Sequence, residues 1–244
     1  MKSVGLVGLS ALACLALATP AVAGKIAKVD LTHYLDGHPV VGDFRVYDRD
    51  DGQTLESQVI GVDELAKATL YQVETTEAGV TDDETDEVVH GKELRVGSDI
   101  EVESGIDFLT KPKRIESFQF VPGVPQKAKI GLQVTYQGHH VGKATLAAAT
   151  TFVGFESSVP GTEAPQGTGT AQIVHLHRDE TLTVKIGHDL FQTVSSADSW
   201  IDPTHGTQRI ERSGQAFHNG VQTSTIGPFV YTFSHGQHNG VPYP

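Results

Sequence analysis

Short runs of Val, Ile, Thr, Phe and Tyr recur along this chain between turn-forming residues, and helix-length periodic segments are nearly absent. With 26 Gly and 11 Pro spread through 244 residues, a strand can propagate only briefly before a turn residue intervenes. The expectation is of short antiparallel strands joined by tight connections. The plainest strand is Lys127 to Tyr136, where Ala128, Ile130, Leu132, Val134 and Tyr136 alternate with Lys127, Lys129, Gln133 and Thr135, so one face is core and the other wet. Further strands are predicted over Val40 to Tyr47, Thr54 to Val62, Thr69 to Thr75, Arg114 to Val121, Thr170 to His177, Thr181 to Ile186, Thr207 to Arg212 and Phe229 to Phe233. Asp63 to Leu70 reads as one or two turns of helix, and Val141 to Phe155 is ambiguous. The expectation is an all-β fold, an antiparallel β-sandwich of jelly-roll or immunoglobulin-like type.

The amino-terminal residues set the compartment. Lys2 is a positive n-region, Val4 to Ala18 an apolar h-region and Ala21-Val22-Ala23 a small-residue cleavage site. This pattern predicts a secretion signal over 1–23 and a single β-rich domain over 24–244, with the Gly/Pro/Ser/Thr-rich stretch 156–168 as the place for any subdivision. The apolar run is shorter than the roughly 18 to 20 residues a spanning helix needs, so no transmembrane segment is expected in the mature chain. The single cysteine, Cys14, lies inside the leader. Lipid anchoring through it is disfavoured, because Ala11-Leu12-Ala13 lacks the Leu usual three places upstream and the apolar run continues beyond it. The mature protein, secreted or periplasmic, then has no thiol, which excludes zinc–thiolate sites, thiol nucleophiles and redox motifs.

A formal charge of −12 repels phosphate backbones and excludes nucleic acid as a natural partner, while a cation is compatible. The acidic segment Glu77 to Glu87, with Asp82-Asp83-Glu84 and Asp86-Glu87, reads as a loop that could hold calcium. Asp48-x-Asp50-Asp51-Gly52 lacks the third alternating acid and the distal Glu of a calcium loop and reads as a hairpin turn.

Histidine is unevenly placed. Of twelve, His175, His177, His188, His205, His218, His235 and His238 fall in the final third, and without cysteine imidazole is the natural ligand for Zn or Cu. His175-x-His177 puts two rings on one strand face about 7 Å apart, and His235-x-x-His238, read as a loop, could complete a metal set. A hairpin through Arg178-Asp179-Glu180 would group Val174, Leu176, Leu182 and Val184 on a core face and leave His175, His177, Thr181, Thr183 and Lys185 on the outer one. Phe217-His218-Asn219-Gly220-Val221 and Gln237-His238-Asn239-Gly240-Val241 echo each other through the Asn-Gly of tight hairpins.

Gly169-x5-His175-x-His177-x2-Glu180-x6-Gly187 resembles the first metal-binding motif of the cupin family. The resemblance implies a β-barrel with His175, His177 and Glu180 turned inward on a metal. It covers only those residues, its His-to-Glu interval is short, and no second motif follows. Asp36-Gly37-His38-Pro39-Val40-Val41-Gly42, followed by Phe44-Arg45-Val46-Tyr47-Asp48 and Asp51-Gly52, is similar to the opening hairpin of transthyretin-like and related immunoglobulin-like sandwich modules, which implies fold alone.

Catalytic grammar is otherwise missing: no Gly-x-Ser-x-Gly elbow, no His-Glu-x-x-His helix and no phosphate loop occurs. Trp200, the only tryptophan, lies in a polar stretch read as a loop and serves best as a buried anchor. Phe229, Tyr231 and Phe233 alternate onto one face and should pack in the core. The reading is an exported, non-enzymatic β-sandwich that binds a ligand or protein partner, or takes part in an envelope or extracellular assembly. The alternative is a histidine-ligated metalloprotein, in its sharpest form a cupin-like metalloenzyme.

Overall fold

The computed structural model describes residues 27–35, 38–66, 68–89, 93–102, 106–109, 113–161 and 172–243, with backbone alone at 68 and 82–116. The leader with Cys14, Asp36 and Gly37, and most of the 156–168 stretch lie outside the described residues. In chain order the elements are β1 (Val29–Asp30), α1 (Thr32–Leu35), β2 (Phe44–Arg49), β3 (Thr54–Glu64), β4 (Ala68–Glu77), β5 (Val80–Val89), β6 (Glu93–Val102), β7 (Ile106–Leu109), β8 (Lys113–Ser117) and β9 (Gln119–Phe120). They continue with β10 (Gln126–Tyr136), β11 (His139–Glu156), β12 (Ile173–Ile186), β13 (Asp189–Asp202), β14 (Gly206–His218), β15 (Val221–His238) and β16 (Val241–Tyr243).

The fold is all-β and antiparallel. One 14-stranded sheet runs β14-β13-β12-β11-β10-β7-β6-β5-β4-β3-β2-β15-β16, with β8 on β6, and β14 also pairs with β15. The sheet therefore curls until its path returns to its start. The long strand β15 carries the closure: Gly214 and Arg209 of β14 face Ile226 and Thr232, while Arg49 and Phe44 of β2 face Tyr231 and Gln237. Turn chemistry sets the hairpins. Asn219-Gly220 and Asn239-Gly240 both have positive φ (50° and 81°, 52° and 74°), the geometry of the tight turns that Asn-Gly supplies.

Two walls of the curled sheet face each other across a filling, as the layers of a sandwich do. The filling is the small β1–β9 sheet with α1. Leu31 and Phe120 are buried against Phe152, Val174, Leu176 and Ile201 of one wall, Phe118 against Val59 and Tyr71 of the other, and Leu35 packs against both groups. Each such burial is worth about 1.5 to 3 kcal/mol relative to exposure. Further along, the apolar face read from Lys127 to Tyr136 forms a second core as far as Val134, with Ile130, Leu132, Val134 and Ala144 packed on Leu182, Val184 and Ile186; an irregularity at Val134/Thr135 then reverses the reading, burying Thr135 and exposing Tyr136.

Several local expectations are corrected. No hairpin forms at Arg178-Asp179-Glu180, which lacks the Gly such a turn prefers. The strand runs on to Gly187, whose φ of 60° makes the turn. The face assignment survives for a different reason, since plain alternation along an unbroken β12 separates the same two sets. Asp63 to Leu70 is a hairpin end between β3 and β4 rather than helix. The acidic segment Glu77 to Glu87 is no loop either. It turns at Ala78-Gly79 (φ 54° and 83°) and pairs along β4 from Glu77↔Val80 to Leu70↔Glu87. Trp200 sits inside β13, and His235 and His238 belong to β15 rather than to a loop.

Candidate functional site

The four predicted metal ligands do not assemble. His175 and His177 lie on the outer face of β12, where alternation puts Glu180 on the opposite face, so the cupin ligand arrangement is not formed. His175 Nδ1 is 2.8 Å from Glu156 Oε1 and its Nε2 is 2.8 Å from Asp198 Oδ1. His177 Nδ1 is 3.1 Å from that same Asp198 oxygen. The His175 ring stacks on Trp200 at 4.6 Å, and the indole Nε1 donates to Glu156 Oε2 at 3.1 Å. Trp200 is 5% exposed and packs with Val159 and Ile173, the anchoring role expected of it. A metal would have to displace these carboxylates from both nitrogens of His175. Among the described residues no group of three His, Cys, Asp or Glu side chains is arranged to hold a metal ion.

His238 and His235 belong elsewhere. His238 Nδ1 lies 2.7 Å from Asp43 Oδ2, and His235 has Ser234 beside it and Phe44 edge-on at 6.1 Å. His238 does, however, line a cleft that sequence reading missed. The cleft opens between α1, the inner faces of β2 to β4, and the turn joining β13 to β14. It has two adjoining lobes of about 340 and 420 Å³, which share Tyr34, Arg45, Gly206, His238 and Tyr243.

Arg45 is the cleft's central group. It lies on β2 with Tyr47 and Arg49 on the same side, the side turned toward the filling. Its Nε donates to the Tyr243 hydroxyl at 3.3 Å, and the Tyr47 hydroxyl is its other hydrogen-bonding neighbour. Among the described residues no carboxylate comes within ion-pair distance. Burial works against the charge, the two phenols outweigh it, and the guanidinium stays above its ordinary pKa. Behind it, Tyr243 stacks on Phe233 at 5.3 Å, and Tyr47 meets Phe233 edge-on at 5.9 Å. Tyr47 is 5% exposed, and burial pushes its hydroxyl above the usual phenol pKa. Gly206 (φ 73°) is pressed against the guanidinium, where a Cβ would run into it.

The cleft's two acids are already occupied. Asp43, 6% exposed, accepts hydrogen bonds from Val40 N at 2.9 Å and Asn239 N at 2.8 Å, besides its contact with His238. Asp202 Oδ1 accepts from Thr204 N and His205 N at 2.7 and 2.8 Å. Tyr34 opposite is held above its ordinary pKa by burial and by the charge of Asp202.

A signal for this site exists in the sequence. Phe44-Arg45-Val46-Tyr47-Asp48-Arg49 places two arginines on the strand face that period two turns inward, where an apolar residue is the usual choice.

No protein-family model matches the chain, and no curated protein matches it either. Two solved structures resemble it loosely. One, a candidate lipoprotein from Parabacteroides distasonis, has a TM-score of 0.47 at 11% identity, over 82% of this chain and 96% of that one. The other, a candidate exported protein with a YmcC-like fold from Bacteroides fragilis, has a TM-score of 0.46 at 10% identity, over 82% and 97%. Likeness at this level assigns neither family nor function. Among the described residues no helix is long and apolar enough to cross a membrane.

Proposed function

We propose that this chain is an exported β-domain that works by binding a small ligand in the cleft between α1 and the inner wall, without catalysing its conversion. Export rests on the leader pattern of residues 1–23. Binding rests on one observation above the others: a cleft lined by Tyr34, Tyr243 and Arg45 between α1 and the wall. Concave pockets of this size with a few placed polar groups are the usual form of ligand sites. Asp43 and Asp202 spend their acceptor capacity on backbone amides, which supports holding rather than proton transfer.

The test has two parts. The full chain is expressed in a bacterium and the exported product sequenced from its amino end; a start near Gly24 supports export, and a retained leader in the cytoplasm overturns it. A small-molecule library is then screened by thermal shift against the mature chain and against Ser57→Phe, which fills the cleft from β3. A ligand at a hundredfold excess over Kd stabilises by about 2.7 kcal/mol. Hits that vanish in the variant support the reading, and hits unaffected by it place binding elsewhere.

A further inference from the structure

We infer that the group recognised in this cleft is an oxyanion, a carboxylate or phosphate on a small ligand, seated on Arg45. This rests on the cleft being the binding site and adds the chemistry of what it takes. In a chain of formal charge −12, acidic partners for a guanidinium are plentiful. Other arginines show it: Arg49 meets Asp51 and Glu77, Arg178 meets Glu180 and, on the outer face, Arg209 meets Glu211. Arg45 departs from that pattern among the described residues. Its only hydrogen-bonding neighbours are the Tyr47 and Tyr243 hydroxyls, on its Nε side for Tyr243. The planar fork of an arginine matches the two oxygens of a carboxylate or phosphate, and charge-assisted bonds of this kind are about twice as strong as neutral ones.

The surroundings fit the same ligand. Gly206 lies against the guanidinium with no side chain of its own to displace it, and Tyr243, stacked on Phe233, holds its Nε. The donors of His33, His205 and the Tyr34 hydroxyl edge the adjoining lobe. The carboxylates of Asp43 and Asp202, which would repel an anion, are directed onto amide groups of residues 40, 239, 204 and 205. The cleft is thus a place where an acidic protein has kept one cation uncompensated and turned its nearest acids aside.

The experiment uses the mature chain with inorganic phosphate, D-glucuronate and D-glucose as probes, read by calorimetry and by NMR shifts of the Tyr34, Arg45 and Tyr243 signals. Phosphate or glucuronate should bind and move those signals, and glucose should bind at least tenfold more weakly. The arm that binds more tightly identifies the source of the oxyanion. Arg45→Gln should lose at least tenfold in affinity, Arg45→Lys should retain part of it, and Arg209→Gln on the outer face should change nothing. Retention by Arg45→Lys also answers the case in which Arg45→Gln misfolds, and Trp200 fluorescence reports folding in each variant. Equal binding of the acidic probes by wild type and Arg45→Gln, or no binding of either, overturns the inference. Ser57→Phe separates the two failures: library hits lost in that variant but kept in Arg45→Gln leave the cleft standing as the site and remove only the anion.

Discussion

Arg45 and Arg49 stand four residues apart on the same side of β2, and the molecule treats them in opposite ways. Arg49, 8% exposed, is saturated. Its Nε and Nη2 donate to both oxygens of Asp51 at 2.7 Å, Nη1 to Glu77 at 2.7 Å and Nη2 again to Gln53 at 2.6 Å, while its guanidinium carbon lies 4.2 Å from the Phe229 ring centre. Glu77 also accepts from the Tyr231 hydroxyl, whose pKa burial and Glu77 together push up. Arg45 has two phenols and a cleft. A charge that has met all its partners locks its surroundings together; one that has met few of them is available to something else.

The largest expected effect tests the saturated member. Arg49→Met leaves Asp51 without its cation and Glu77 with only the longer Arg212 contact at 3.7 Å, and should destabilise by about 2 kcal/mol, below the 3 to 5 typical of fully buried pairs because both acids keep contact with water. Arg45→Gln, measured in the same urea titration, should cost under about 1 kcal/mol, the scale of one neutral hydrogen bond. Equal losses would erase the distinction. Glu77→Gln comes next, at about 1 to 1.5 kcal/mol, since it keeps an acceptor for Tyr231 and loses only the charge.

A smaller effect sharpens the contrast through pH. The hydrogen bonds from Arg49 are the main reason the Asp51 carboxyl sits below 3.8, the value of an unperturbed Asp. A depressed carboxyl contributes stability that is fully present above its unfolded pKa and is lost as pH falls through the lower, folded one. In Arg49→Met the Asp51 carboxyl should titrate higher by NMR, its remaining depression coming from the Gln53 amide, and the Arg49 part of the acid dependence should disappear. Arg45→Gln should leave the Asp51 titration where it is. The smallest effect lies on the outer edge. Asp189 is held below 3.8 chiefly by His218 and then by Asn219, so His218→Ala should raise its midpoint without touching either arginine. A shift at Asp51 in that variant would show that the two ends of the sheet are coupled.

The fold was legible where one face of a strand is apolar and the other is not. Ile130, Leu132 and Val134 announce β10, and the two Asn-Gly pairs announce their turns. It was illegible where the inside of the curled sheet is itself polar. β13, with Phe191, Thr193, Ser195, Ala197, Ser199 and Ile201 on one side and Leu190, Gln192, Val194, Ser196, Asp198 and Trp200 on the other, segregates nothing by polarity, so period two is invisible in it. The acid-rich run after Glu77 hid β5 for the same reason. The histidine pair was rightly placed on a shared outer face, but its neighbours Glu156 and Asp198 come from strands that sequence spacing cannot bring beside it. The cleft was missed because Tyr34, Arg45, Gly206 and Tyr243 meet only through closure of the sheet, and the local hint, a charge at an inward position of β2, lies in a predicted strand whose buried face the sequence did not identify.

That closure has a cost in time. Because β2 finds its partner in β15, on residues such as Tyr231 and Gln237, the register of the first long strand cannot be completed until nearly the whole polypeptide has emerged. Until then β2 and β14 offer bare hydrogen-bonding edges, the surfaces on which unfinished β-proteins find one another. Pairings of such sequence separation also fold slowly. The same strand that joins β2 to β14 in the finished protein makes the nascent chain, before that strand arrives, the form most in need of protection.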